Sequence, residues 1–382
     1  MDVLGLTIMI PLLPFYAEKL GASPFQVGWL IGIYAACQLV SGPLLGRMSD
    51  HLGRKPLLLV SQLGTLIGFL ITAFAPNLWI LFLARAIDGA TAGNLSLAQA
   101  YISDVTKPED RAKSFGIIGI AFGMGFLIGP AISGFLARYD YRDPIFAAAA
   151  LSAMSILTTY ALLPATKPVS AQAEAGPGGR RLSIFEAGAY AAYFRRPLLA
   201  QRLWEFFCFA FSFALFTAGL PLFAERRLTW NGAPFGPVQL GYIWAFAGFL
   251  GIFLQGPMLG RLVKRFGERS LNRVGFAGYV AGYAMLGLTH SIGMLIAATV
   301  VTSIGTLVRP TLTSLITQSA PREEQGVVLG LTQSLTSLAQ IVAPLLAGYL
   351  IQIGVLTGWG LVASGVAAAG LGIASRTDGS PG

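Results

Sequence analysis

Charge is scarce in this sequence. Lys, Arg, Asp and Glu make up only 11% of its 382 residues, less than half the share of a soluble domain, which is too little to cover a water-facing surface. That argues against a soluble enzyme, a disordered protein and a DNA-binding domain. Cysteine is scarce as well: Cys37 and Cys208 lie far apart, each inside an apolar stretch, which removes a disulfide framework and a Cys metal site. His51 and His290 are isolated and have no second ligand at metal spacing. No G-x-x-x-x-G-K-[ST] segment occurs, so a phosphate loop for nucleotide is absent. No Ser/His/Asp set, His-x-x-x-His pair or paired carboxylate cluster marks an enzyme, and no cofactor, metal or nucleic-acid partner is expected.

What is abundant is apolar. Hydrophobic residues make up 54% of the chain and glycine contributes 47 positions, with a mean hydropathy of +0.67. Apolar runs near the length of a bilayer crossing recur along the chain. They place about twelve spans at 1–17, 25–45, 56–75, 78–100, 113–137, 144–164, 199–222, 237–259, 271–289, 292–316, 326–350 and 355–374. The expected fold is therefore an all-α integral membrane protein. The net charge of +9 falls in short clusters between spans. With both termini cytoplasmic, inner connections and the tail hold 19 of the 26 Lys and Arg residues and outer connections hold 5, a bias that fixes orientation. The last two, Arg85 and Arg309, lie within spans.

The longest connection, 165–198, holds Pro, Gly, Ser and basic residues and separates six spans from six. It divides the chain into a bundle over 1–164 and another over 199–382. An internal repeat supports the division. Gly42 and Pro43 recur as Gly256 and Pro257, Gly46 and Arg47 as Gly260 and Arg261, Gly53 as Gly267, Gly116 as Gly330, Pro130 as Pro344 and Gly134 as Gly348, every pair offset by 214 residues. Six spans per copy is an even number, so the copies share one orientation, which places a binding site between halves near the midplane.

Three motifs carry a family resemblance. Gly46, Asp50, Gly53, Arg54 and Lys55 resemble the G-x-x-x-D-R-x-G-R-R/K signature between spans two and three of the major facilitator superfamily, with His51 in place of its first Arg. The glycines allow close packing at a tight turn, and Asp50 accepts from a helix N-terminus or an Arg. The resemblance implies a cytoplasmic latch built on Asp50 and Arg54; a solvated basic turn is the plainer reading. Lys264 stands at the second copy's position for Asp50. Gly116, Gly125, Gly129, Pro130 and Gly134 in span five match the G-x8-G-x3-G-P-x3-G signature of that superfamily's drug:proton antiporters, with Ser133 where that branch has a Gly. Such a helix bends at Pro and packs closely through its glycines.

The opening stretch with Asp2, Gly5, Pro11 and Pro14 resembles the first span of tetracycline-type twelve-span antiporters, a likeness that covers nearly the whole chain. In that family apolar residues precede the acidic position, so either the span begins upstream of Met1 or it is short. Gly68 and Tyr279 occupy positions where tetracycline efflux proteins carry Asp, which argues against a metal-tetracycline substrate.

Intramembrane charge supplies the coupling candidates. Burying a cation in mid-span costs about 2.5–3.5 kcal/mol on insertion scales, so Arg85 needs a partner or a watery cavity. Asp88 shares its helix face, and Asp2 meets it if spans one and four are neighbours. Asp2 is the expected proton carrier and Asp88 its competitor, with a static ion pair as the plain alternative; Glu205 is read as interfacial. Arg309 is expected to snorkel toward the cytoplasm, or else to face the cavity and favour an anionic group. Trp204, Phe207, Phe211 and Trp244 are candidate cavity aromatics, suited to a hydrophobic solute. The resemblance thus implies a monomeric exporter of small hydrophobic or drug-like compounds in exchange for protons, in a bacterial inner membrane. A metabolite or sugar carrier is the alternative within transporters, and a non-transporting receptor or scaffold the alternative outside them.

Overall fold

The computed structural model has two compact units, Met1–Gly176 with Gly236–Gly248, and Pro177–Phe235 with Phe249–Gly382. It describes residues 1–106, 111–164, 192–321 and 324–376, with Ser103 and 111–120 described by backbone alone. Most of the linker expected at 165–198 lies outside these residues.

The first unit contains α1 (Asp2–Lys19), α2 (Pro24–Leu52), α3 (Arg54–Ala73), α4 (Leu78–Ala90), α5 (Asn94–Val105), α6 (Arg111–Leu136) and α7 (Arg142–Leu162). Local chemistry fixes the helix starts. Ser23 and Gln26 form a capping box ahead of α2: the Gln26 N–H donates to Ser23 Oγ at 3.3 Å and the Ser23 N–H donates to Gln26 Oε1 at 2.8 Å, with Pro24 at the first helical position. Asn77 caps α4 through the Ile80 N–H. The fourth span breaks between α4 and α5, and Ser61 satisfies the break by accepting from the Gly93 N–H at 2.9 Å and donating to the Thr91 carbonyl.

The second unit begins with α8 (Pro197–Arg227). A hairpin of β1 (Thr229–Trp230) and β2 (Ala233–Pro234) follows, paired antiparallel. It turns at Asn231 and Gly232, both with positive φ, the pair that such a two-residue turn selects. The eighth span is α9 (Pro237–Phe253), whose residues up to Gly248 belong to the first unit, a π-helical turn at Leu254–Met258 and the start of α10 (Leu259–Gly287). Span nine is the rest of α10 beyond Gly267, whose φ of 75° interrupts the helix. Span ten is α11 (Ile292–Ile304), a 3-10 turn at Gly305–Leu307 and α12 (Val308–Gln318). Spans eleven and twelve are α13 (Gln325–Gln352) and α14 (Leu356–Arg376). Among the described residues 8 helical stretches are long and apolar enough to cross a membrane; Pro237–Gly287 carries two expected spans, and the shorter or broken helices account for the others.

The repeat is visible in the packing. In the first unit α1 packs on α6 and α7, and α3 on α7; in the second, α8 packs on α13 and α14, and α10 on α14. These are the same span pairings advanced by six. The glycine contacts repeat as well: a Cβ on Gly68 would meet Asp88, and one on Gly282 would meet Thr302, each position 214 residues beyond its counterpart. The copies diverge at Pro257, where the helix widens to a π turn, whereas Pro43 sits within a continuous α2. A proline has no N–H and crowds the preceding turn, and a wider turn relieves that crowding.

Candidate functional site

The turn between α2 and α3 is a buried polar cluster. Gly53 has φ 92° and ψ 154°, a backbone region essentially reserved for glycine, and it aims α3 so that Arg54 points back at α2. Arg54 is 3% exposed. Its Nη2 lies 2.5 Å from Asp50 Oδ1, its Nε donates to Asp104 Oδ2 at 2.8 Å, and its Nη1 donates to Ser49 Oγ at 2.5 Å and to the Gly46 carbonyl at 3.4 Å. Lys55 turns away and donates to the Tyr160 carbonyl at 2.8 Å. His51 is exposed. Sequence reasoning found Asp50 and Arg54 but missed Asp104, which lies at the end of α5.

Span five supplies the second cluster. A Cβ on Gly129 would collide with Thr7, and one on Gly125 would lie 2.7 Å from Val3 Cγ1, so these glycines let α6 touch α1. Gly134 and Pro130 face the start of α9: a Cβ on Gly241 would lie 2.6 Å from the Pro130 carbonyl and 2.9 Å from Gly134 Cα. Gly116 lies in α6 where only the backbone is described. The close-approach role expected of the motif therefore applies at Gly125, Gly129, Pro130 and Gly134.

Arg85 and Asp88 are brought together. Arg85 Nη1 donates to Asp88 Oδ2 at 2.9 Å, both residues are buried, and the Arg85 guanidinium lies 4.3 Å from the centre of the Tyr34 ring. Thr65 also hydrogen-bonds Asp88. The pair answers the cost of an intramembrane cation with a carboxylate, a neutral donor and an aromatic face.

Asp2 is held elsewhere. Its Oδ2 accepts from Gln62 Nε2 at 3.1 Å, and the same amide donates to Ser155 Oγ at 3.0 Å. Asp2 Oδ1 and Gln62 Oε1 are buried with no hydrogen-bond partner among the described residues. Neither Gln62 nor Ser155 was singled out by sequence, since a lone amide and a lone hydroxyl in apolar spans carry no motif.

The second unit holds a pair of similar form. Arg202 donates to Glu205 at 2.9 and 3.1 Å, Asn272 Nδ2 donates to Glu205 Oε2 at 3.1 Å, and Glu205 and Asn272 are fully buried. Glu205 was expected at the interface and Arg202 among the connection charges; both lie inside α8 and are enclosed by protein.

The candidate aromatics separate. Trp204 stacks edge-on with Phe194 and Phe207, and Phe207 with Phe211, but Trp204 is 52% exposed, so much of this row looks outward. Trp244 is buried in the first unit. The enclosed aromatic cluster of the second unit is a different one, in which Tyr279 stacks on Phe209 at 6.1 Å and on Tyr283 at 5.1 Å, and Tyr283 on Phe216 at 5.1 Å.

Comparison with known proteins agrees with this architecture. The sequence profile of the Major Facilitator Superfamily matches residues 1–344 and 256–379. Tetracycline resistance protein, class C, of Escherichia coli is 30% identical over 353 residues, covering 91% of this chain and 86% of that protein. Multidrug resistance protein 2 of Bacillus subtilis is 24% identical over 357 residues, covering 92% and 86%. Among solved structures the nucleoside transporter NupG superposes with a TM-score of 0.75 at 15% identity, covering 100% of this chain and 97% of that one.

Proposed function

The chain belongs to the Major Facilitator Superfamily, and from that premise we propose that it is a secondary transporter that exports small, hydrophobic, drug-like compounds in exchange for protons. The tetracycline and multidrug resistance proteins it resembles support this class of activity over a sugar or metabolite carrier. Alternating access couples inward proton movement to outward movement of the compound, and each charge crossing the membrane contributes about 2.3 kcal/mol per 100 mV.

The observation that carries the coupling is the state of Asp2, with one carboxylate oxygen buried and unpartnered and the other accepting from a neutral amide. Among the described residues no cation pairs with that carboxylate, and for that reason the exchanged proton is placed on Asp2 rather than on Asp88. Asp88 has Arg85 at hydrogen-bond distance, and in this reading the Arg85–Asp88 pair holds the helix geometry beside the proton site. Gly46, Asp50, Gly53, Arg54 and Lys55 form the cytoplasmic latch, and the span-five glycines keep helices in sliding contact. The excess of basic residues in the inner connections supports a reading with both termini cytoplasmic, in a bacterial inner membrane. Gly68 packs against Asp88 and Tyr279 is enclosed by aromatics, so neither supplies the carboxylate expected for a metal-tetracycline substrate.

The test is proton release from a preformed pH gradient in everted vesicles, on adding lipophilic cations, anions and neutral compounds to wild type and Asp2→Asn. Dissipation by some compounds in wild type and by none in the variant is expected. No response from wild type to any compound would remove the drug-antiport reading, and an unchanged response in Asp2→Asn would remove Asp2 from it.

A further inference from the structure

Span ten carries a polar stripe that the proton site does not use. Thr302, Thr306, Arg309 and Thr313 follow one another at intervals of four, three and four residues, the spacing that places side chains on one helix face. The apolar exposed positions of the same span, Ile296 and Val300, lie on another. Thr302 is buried against Gly282 of span nine and Thr306 donates to the Ser303 carbonyl at 2.7 Å, which leaves Arg309 as the group on this face that hydrocarbon would not accommodate. Arg309 lies nine residues before the end of α12 at Gln318, about 13 Å along the helix at 1.5 Å per residue, which sets it well inside the span. It is exposed and makes no hydrogen bond or ion pair with a carboxylate among the described residues. Arg85, by contrast, has Asp88 at 2.9 Å, and Arg202 has Glu205 at 2.9 Å.

Arg309 follows closely on an irregular turn of the helix. Two departures from α-helix pack on each other here, the π turn Leu254–Met258 and the 3-10 turn Gly305–Leu307, irregularities that recur at functional sites. Gly251 leaves room between them: a Cβ there would lie 3.8 Å from Thr306 Cγ2 and 3.9 Å from Gln255 Nε2. Gln255 is exposed and its amide has no partner among the described residues. The Tyr279 ring rests directly on Gly305, where a Cβ would collide with it, and its hydroxyl is within electrostatic range of Arg309. A guanidinium, an amide and an aromatic ring thus lie around the packed pair of turns, and among the described residues no carboxylate pairs with the guanidinium. Arg309 was expected to snorkel; the absence of a carboxylate partner and the nearby Tyr279 favour the alternative, in which it meets an anionic group.

We propose that Arg309, with Gln255 and Tyr279 beside it, binds the negative charge of a hydrophobic organic anion, a carboxylate or sulfonate on an apolar body, and so selects anionic over cationic substrates. The proposal rests on the transporter reading above and narrows its substrate class. An arginine facing a desolvated single anion makes a strong, charge-assisted bond.

The experiment is counterflow in proteoliposomes of the full chain without a pH gradient, using a radiolabelled naphthalene carboxylate and its uncharged carboxamide. Arg309→Gln is expected to raise the half-saturation concentration for the carboxylate about ten-fold or more, the scale of a lost hydrogen bond to a charged group, while leaving the carboxamide unchanged. Arg309→Lys keeps part of the carboxylate affinity, and thermal melting of each variant controls for folding. Equal loss for both compounds, no loss for either, a wild-type preference for the carboxamide, or no carboxylate counterflow in wild type overturns the proposal. Counterflow reads anion selection with no pH gradient, whereas the everted-vesicle assay reads proton coupling; failure of proton coupling and failure of anion selection are therefore separate results.

Discussion

Arg54 and Glu268 occupy the same place in the two copies of the repeat, and each reaches a partner fifty residues further along the chain: Arg54 donates to Asp104 at 2.8 Å, and Glu268 accepts from Gln318 at 2.9 Å. The geometry is kept while the charge at its centre is inverted. Around Arg54 two carboxylates gather, Asp50 and Asp104. Around Glu268 the donors are neutral, Gln318 and Ser314, the latter at 2.7 Å. The first copy is thus a buried ionic cluster, and the second a partly exposed carboxylate held by neutral donors.

That inversion predicts unequal mutational costs. Removing one partner of a buried ion pair costs about 3–5 kcal/mol, whereas a hydrogen bond from a neutral donor to a charged group is worth about 1.5–3 kcal/mol. Arg54→Gln should therefore lower the melting temperature of the purified protein in detergent more than Glu268→Gln. Scanning fluorimetry of both variants decides it; equal shifts would mean that burial of Arg54 does not govern the turn.

A second pair separates static support from coupling. Arg85→Gln and Asp88→Asn each strand a buried charge, and each should cost about 3–5 kcal/mol. The double variant removes both charges and should be less destabilised than the sum of the singles, a coupling that a double-mutant cycle on thermal stability measures. If the pair only supports the helices, the double variant also keeps gradient-driven export. Loss of export with restored stability would move the proton site from Asp2 to Asp88.

The sequence displayed the repeat, the span count and the glycine motifs because these are periodic or fixed in spacing, and the 214-residue offset reappears in the paired breaks of spans four and ten and in the positive-φ glycines Gly53 and Gly267. The partners of the charges were less legible. Asp88 was visible as a neighbour of Arg85 on one helix face, but Gln62, Ser155 and Tyr34 meet their targets only through helix packing, and no local pattern marks them. The burial of Glu205 was not legible for a related reason: it lies eight residues beyond the start of α8 at Pro197, and its partner Asn272 comes from span nine. Arg309 was legible as a charge but not in its direction, which the turn at Gly305–Leu307 helps to set.

An ion pair with a pH signature lies at the helix ends. Arg196 precedes α8 and Glu324 precedes α13, and both Arg196 guanidinium Nη atoms donate to the Glu324 carboxylate. The hydrogen bond from Arg196 holds the Glu324 carboxyl below its ordinary value. The pair therefore adds stability above about pH 4.3, the ordinary Glu value, and loses it as pH falls through the lowered folded-state value. Exposed pairs contribute about 0.2–1 kcal/mol, so Glu324→Gln should lower the melting temperature slightly at neutral pH. The gap to wild type should narrow on acidification, and a gap that widens would contradict the assigned direction.

Two glycines of one motif should respond in opposite senses. Gly53 has φ 92° and ψ 154°, a region that costs a side-chain-bearing residue about 1–3 kcal/mol, and the position sets the angle at which α3 delivers Arg54. Gly46 is helical, and a Cβ there would meet nothing within 4 Å. In a helix interior Ala is favoured over Gly by about 0.5–1 kcal/mol, so Gly46→Ala should leave stability unchanged or raise it, while Gly53→Ala should lower it. Gly267, with φ 75°, should repeat the loss in the second copy. Thermal melting of the three variants tests this. If Gly46→Ala proves stable but slow in export, its glycine is kept for a close approach in another step of the transport cycle.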